Sequence, residues 1–153
     1  MSNFNFILIV FSLISVQKIY SQSSDNLSIY SRAVLDLIEY RDSLGINSTI
    51  YLEAEGHLSY YLRQDSIENF GVFLINKENI KALYKKNDNK LIHSTISPVR
   101  VNNDELIITI TPYISERKMY RIRMGVSDGY NLIYKLDCES KLFKLYEIEQ
   151  WGI

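Results

Sequence analysis

From Lys90 to its end the chain reads as one strand after another, and this run limits the possible folds more than any other feature. "KLIHSTISPVRV", "ELIITITPY", "KMYRIRMGV", "YNLIYKLDC" and "LFKLYEIEQW" are rich in β-branched and aromatic residues and are divided by short polar turns. Short strands are not stable singly in water; they need neighbours and an apolar layer over one face. Pro98 removes a backbone donor, so the first strand is expected at an edge or a bulge. "NND" at 102–104 turns it into the next. The pattern predicts an antiparallel meander.

Alternation within these strands suggests a register. Tyr120, Ile122, Met124 and Val126 form one apolar side, and Leu132, Tyr134 and Leu136 another. A two-residue Asp128-Gly129 turn would set Ile122 opposite Lys135, with every side chain on the wrong face. A three-residue loop, Ser127-Asp128-Gly129, pairs 122 with 134 and 124 with 132, with Gly129 in the left-handed position. Across "CESK" the same logic pairs Leu136 with Phe143 and Tyr134 with Leu145. A turn over Ile114 to Lys118 pairs Ile122 with Ile110 and Met124 with Ile108. This register gathers the large apolar residues on one face, each worth roughly 1.5–3 kcal/mol when buried. Cys138 continues the line of Leu132, Tyr134 and Leu136, which predicts a buried, inert thiol.

The covering layer is expected from the first half of the chain. Leu27, Tyr30, Val34, Leu37, Ile38 and Arg41 recur at helical spacing, predicting a helix over about 26–43. Ser24 or Asp25 would cap its start, and Gly45 would end it. "STIYLEAE" alternates as a strand with one wet face, and "NFGVFLI" reads as a buried strand. "GHLSYYLRQDS" fits either a strand or a loop. Asn76 starts a short helix, "KENIKALYKK", which stops at "NDN". The expected fold is α+β: an N-terminal helix packed on an antiparallel meander of about five to seven strands, with one further short helix.

Ahead of all this stands "NFNFILIVFSLISVQKIYSQSS". Its apolar stretch, Phe4 to Val16, is thirteen residues, too short for a membrane span, which takes about 20. It has the length of a signal-peptide core, and Ser21 supplies a small residue at the cut. Residues 1–21 are therefore expected to be a cleaved signal peptide, with a retained N-terminal anchor as the alternative, and 22–153 a single α+β domain that is exported to the periplasm or secreted and has no membrane span after cleavage. Of the charged side chains only Lys18 is lost, leaving 16 cations against 18 acids. That balance gives no electrostatic case for nucleic acid, which demands a basic surface.

No motif announces a reaction. His57 and His93 are the only histidines, and neither has a Cys or Glu at metal-ligand spacing. There is no GxSxG and no phosphate-cradling glycine loop. No catalytic residue, metal or cofactor is expected. Glu53 and Glu55, two apart on one strand face, have a geometry that can serve acid–base work, though half-exposed strands carry such pairs routinely. In the expected register Arg121 lies beside Lys135, and Lys135 beside Lys144, with Arg123 two residues along. These four cations form a candidate surface for an anionic ligand or an acidic protein, with Thr109 and Thr111 on the same face. Tyr60, Tyr61, Tyr113, Tyr146 and Trp151 are candidates for an aromatic binding surface, because strand parity or terminal position places some of them outside the core.

The layout of "YSRAVLDLIEY" after an apolar leader, then a meander from Glu105 to "EIEQWGI", resembles small exported α+β proteins of unknown function. More loosely it resembles cystatin-like and nuclear-transport-factor-2-like folds. Enzymes of the latter type place acid–base residues in a cone-shaped pocket; none maps onto this sequence, and two helices expected at the start of that fold are missing. The resulting expectation is a non-catalytic exported module that binds a protein, glycan or other surface ligand. The alternative is a small hydrolase whose site is assembled only in the fold.

Overall fold

The strand-rich half is organised around one long strand. The structure, a computed structural model, describes residues 27–46, 49–54, 56–65, 67–118, 121–126 and 128–152, so the expected signal peptide lies outside the described residues. β5 (Glu105–Lys118) runs through the sheet and pairs with four strands. On one side lie β3 (Lys90–Ile96) and β4 (Arg100–Asn102); on the other, β6 (Arg121–Val126) and β7 (Asp128–Asp137). β8 (Leu142–Gly152) pairs with β7 and forms one edge. These pairings are all antiparallel. At the opposite edge β1 (Ile50–Glu53) joins both β3 and β2 (Val72–Ile75) in parallel. The eight-stranded sheet is thus mostly antiparallel, and with three α-helices among the described residues the fold is α+β. The parallel pairs depart from the expected pure meander, because β1, β2 and β3 are joined by crossovers that carry helices.

Pairing with β5 slips by one residue partway along each flank. Ile96 faces Ile110, yet Arg100 faces Ile107 rather than Leu106. This first slip falls at Ser97–Val99, where Pro98 predicts a bulge. On the other flank Val126 faces Tyr113, yet Tyr130 faces Ile110 rather than Thr109. This second slip falls between Val126 and Asp128, where the sequence reading places a hairpin. β6 and β7 are therefore one course along β5, and the chain reverses between Lys118 and Arg121 instead. Ile122 faces Arg117 and Met124 faces Ser115, while the partners expected for them, Ile110 and Ile108, face Tyr130 and Leu132.

A one-residue slip moves alternate side chains to the other face. Leu132 and Tyr134 are fully buried on the inner face, whereas Ile122 and Met124 lie on the outer face, 49% and 52% exposed. Leu136 shares the inner face but is half-exposed towards the sheet's end. The β7–β8 register agrees with expectation: Tyr134 faces Leu145 and Leu136 faces Phe143. Cys138 does not continue that line. The strand ends at Asp137, and Cys138 sits exposed in the turn.

α1 (Ile29–Ser43) covers the inner face. Its buried residues are Tyr30, Ser31, Ala33, Val34 and Leu37. Ser28, rather than Ser24 or Asp25, caps the helix by accepting from the Ser31 N–H at 3.2 Å. Gly45 follows its end with φ of +75°, the left-handed residue such an end requires. α1 is held by polar ties as well as packing: Tyr134 donates to Asp36 at 2.5 Å, and Arg32 donates to the Phe143 carbonyl at 2.9 Å. "GHLSYYLRQDS" is neither strand nor loop but mainly a helix, α2 (His57–Gln64). Its Leu58 and Leu62, one turn apart, join the inner core with Ile67 of a following 3₁₀ turn (Ile67–Phe70).

α3 (Ile80–Lys86) covers part of the outer face. Asn79, rather than the expected Asn76, stands at its N-cap, while the Asn76 carboxamide oxygen accepts from the N–H groups of Glu78 and Asn79 and so organises the turn that leads into it. Leu83 and Tyr84 pack with Ile75 and Leu91 in a second, smaller core. Asp88 and Asn89, both with positive φ, turn the chain into β3. Towards β7 and β8 the outer face has no such cover: Lys135, Glu147, Glu149 and Trp151 all reach solvent there.

The register makes a stability prediction. Leu132→Ala should cost about 2–5 kcal/mol in urea unfolding, the usual range for an emptied core site. Ile122→Ala should cost about 0.5 kcal/mol, as at a surface position. Equal costs would support the hairpin register instead.

Candidate functional site

The four cations expected to form a row do not share a surface. Lys135 faces Lys144 across β7 and β8, as expected. Arg121 faces Lys118, and Arg123 faces Glu116. The slip between Val126 and Asp128 puts Arg121 and Arg123 on the inner face, near the far end of the β6–β7 course, while Lys135 stays on the outer face. The two lysines are each neutralised locally. Lys135 lies 3.2 Å from Glu105 and 3.5 Å above the ring of Tyr146. Lys144 is bridged to Asp137, and that hydrogen bond holds the Asp137 carboxyl down at about 2. The like-charge pair is relieved by these two carboxylates.

Glu53 instead meets His93, 3.2 Å from carboxylate to Nε2, with His93 Nδ1 3.3 Å from Ser115 Oγ. The three residues come from β1, β3 and β5, brought side by side by the parallel β1–β3 pair. Acid, imidazole and hydroxyl are the parts of a nucleophilic triad, but the hydrogen bonds run the wrong way for one. Ser115 donates to the Leu91 carbonyl at 2.8 Å and accepts from Tyr84 at 2.8 Å. The Glu53 approach to Nε2 is a charge contact without hydrogen-bond alignment. Ser115 is fully buried and His93 is 2% exposed, with Tyr113 stacked on its ring. Through Tyr84 and Ser115 the cluster fixes α3 to the sheet, and of its acid, imidazole and hydroxyl only Glu53 reaches solvent.

A cavity of about 660 Å³ opens between α1 and the sheet, lined by Leu37, Ile50, Ile92, Ile114 and Tyr130, with Arg41 and Asp128 at its polar side. Its wall passes through Ile46 and Thr49, either side of residues 47–48, which are outside the described residues.

The bare part of the outer face carries an ordered polar ladder. Arg100 on β4 donates to Thr109 Oγ1 on β5 at 3.4 Å, and Thr109 Oγ1 donates to Asn131 Oδ1 on β7 at 2.8 Å. Asn131 Nδ2 donates to Glu149 on β8 at 3.5 Å. Four strands thus each supply one side chain, and three hydrogen bonds join them as rungs. The central rung is firm, and the two outer ones lie at the limit of hydrogen-bond length. Beside them Trp151, 40% exposed, is laid directly on Gly129 of the neighbouring strand; any Cβ at 129 would overlap the indole. The Ser97–Val99 bulge forms the far wall of a shallow groove of about 760 Å³ between Pro98, Arg100, Thr109, Asn131 and Trp151.

Of the expected aromatic candidates, Trp151 alone joins this ladder. Tyr61 stacks on Tyr30 with Tyr60 edge-on to it, Tyr113 stacks on His93, and Tyr146 lies under Lys135. Thr109 was legible as an outer-face residue. Arg100, Asn131 and Glu149 were not, because their alignment depends on the two slips. Among the described residues no group of His, Cys, Asp and Glu could hold a metal ion, and no helix is long and apolar enough to cross a membrane. The chain matches no protein-family model, no curated protein and no solved structure.

His93 gives the site region a pH signature. Burial pushes its pKa below the ordinary 6.5, and the opposing pull of Glu53 does not restore it. The fold therefore favours neutral imidazole. That preference stabilises the protein above pH 6.5 and is lost as pH falls through 6.5 towards the folded value. The urea midpoint of the native protein should fall between about pH 7 and 5 more steeply than that of His93→Gln. Parallel pH profiles would refute the assignment.

Proposed function

We propose that the protein is an exported, non-catalytic binding module that meets its ligand on the bare part of the outer sheet face. The observation that carries this reading is the Trp151 groove, where an exposed indole lies beside a cross-strand polar ladder. Binding sites combine apolar area with a few placed polar groups, and an aromatic with limited rotamer freedom supplies that area at low entropic cost. The leader in residues 1–21 supports export to the periplasm or the medium, where such a module would meet surface components. The partner is then a surface ligand rather than a nucleic acid, in keeping with the acid-leaning charge.

A small hydrolase is the second reading, favoured by the proximity of Glu53, His93 and Ser115. It requires α3 to lift and Ser115 to be freed from Leu91. A fluorophosphonate probe should then label Ser115; an unlabelled serine supports the binding reading.

Two outcomes are expected of the binding module. Mass spectrometry of protein recovered outside the cytosol should find an N-terminus at or within a few residues of Gln22, and a full-length chain in the cytosol would overturn export. Mature protein should capture cell-envelope material, and the Asn131→Ala/Trp151→Ala double variant should lose that capture while keeping its urea midpoint within about 1 kcal/mol of stability. Equal capture by the variant would remove the outer face from the function.

A further inference from the structure

We infer that the Trp151 groove takes a neutral oligosaccharide, with one pyranose ring stacked on the indole and its hydroxyls held by Arg100, Asn131 and Glu149. This deepens the binding reading and rests on the outer face being the binding face.

A pyranose ring is amphipathic: its axial C–H groups make an apolar face, and its hydroxyls radiate around the edge as paired donors and acceptors. Its complement is a flat aromatic plane flanked, at the same level, by groups that offer both donors and acceptors. The groove provides this. Trp151 is held flat against the backbone at Gly129, which fixes one ring face and leaves exposed area for a ligand. The flanking groups differ in type. Arg100 offers several N–H donors, Glu149 only acceptors, and Asn131 both. Their contacts with the ladder at 3.4 and 3.5 Å are long, so hydroxyls can replace or supplement them at little cost, while the Thr109–Asn131 bond at 2.8 Å keeps the centre in place.

Charge and topology argue against the competitors. Arg100 and Glu149 cancel, so the ladder favours neither a polyanion nor a polycation. A peptide added as a strand uses unpaired backbone at a sheet edge. Here the groove's floor, Thr109 and Asn131, lies on β5 and β7, whose backbones are already paired with their neighbours, so over that floor side chains alone read the ligand. The neighbouring aromatic, Tyr146, has Lys135 over its ring, which makes Trp151 the principal platform. One stacked ring of about a dozen heavy atoms gives affinity on the order of millimolar.

The chain has a single tryptophan, so its fluorescence reports on this groove without labelling. Mature protein is titrated with neutral hexose and N-acetylhexosamine oligomers of three to six rings, with a sulfated oligomer as the charged control. A saturable shift in Trp151 emission is expected with at least one neutral series. Calorimetry should show Trp151→Ala and Gly129→Ala each weakening that binding at least tenfold. Gly129 has no positive φ, so Gly129→Ala acts by displacing the indole, and Asn131→Ala supplies a further variant should it fold poorly. No emission change with any neutral oligomer, or undiminished binding by Trp151→Ala, overturns the inference. Periodate-treated envelope material separates the two levels. If Trp151-dependent capture survives periodate, the face binds something other than a glycan and only this inference falls. If capture never depended on Trp151, the binding reading falls with it.

Discussion

Strand β5 sets the terms for the rest of the molecule. Fourteen residues long and paired on both sides, it holds two flanking courses, β3 with β4 and β6 with β7. A course that slips by one residue exchanges its faces, because side chains alternate with a period of two. Both flanks slip, the first around Pro98 and the second just before Asp128. Thus Ile108, Ile110, Leu132 and Tyr134 can form the inner core, while Leu91, His93 and Ser115 present a second set of buried groups outwards to α3. A meander without these slips would drive Leu91 and Arg100 to opposite faces. The sheet uses bulges to build on both of its surfaces.

The two surfaces are closed by different means. On the inner side apolar packing dominates, and the polar groups at the helix–sheet contact are answered individually. Tyr134, fully buried, donates to Asp36, and burial raises the pKa of that carboxyl despite the bond. On the outer side, α3 is only seven residues long and its contact is mixed. Leu83 and Tyr84 supply area, and the Tyr84–Ser115–Leu91 hydrogen bonds supply direction. A hydroxyl that both donates and accepts in a buried site is a joint whose loss leaves two groups unsatisfied. That is a structural reason for Ser115 beside His93.

Much of this was legible where the signal is local. The spacing of Tyr30, Val34 and Leu37 located α1, Gly45 marked its end, and "CESK" returned β7 onto β8 in the observed register. Asn76, the "NDN" turn and the break at Pro98 also follow from the chemistry of single residues. The failures share a cause. Asp128-Gly129, flanked by alternating strands, carries a strong hairpin signal, whereas a one-residue slip within a continuous course leaves almost none. Reading the hairpin moved Ile122, Met124, Arg121 and Arg123 to the wrong faces together and drew four cations into a row that does not exist. α2 was missed because two leucines one turn apart, in eight residues, are too few for a period. The parallel place of β1 and β2 depends on partners that no local pattern names.

The groove shows the same division between local and distant causes. Trp151 could be singled out from its place near the chain's end, but what makes it a platform is Gly129, twenty-two positions earlier, whose missing side chain lets the indole lie down. The ladder beside it needs Arg100 displaced by the first slip and Asn131 by the second, so that both point outwards with Thr109 between them. Its exposure follows from the brevity of α3. The helix packs on Ile75 and Leu91 and ends at Lys86, where Asp88 and Asn89, in left-handed conformations, turn the chain into β3. A short helix thus closes the outer face around Ile75 and Leu91 and leaves the part over β7 and β8 bare, with Lys135, Glu147, Glu149 and Trp151 reaching solvent.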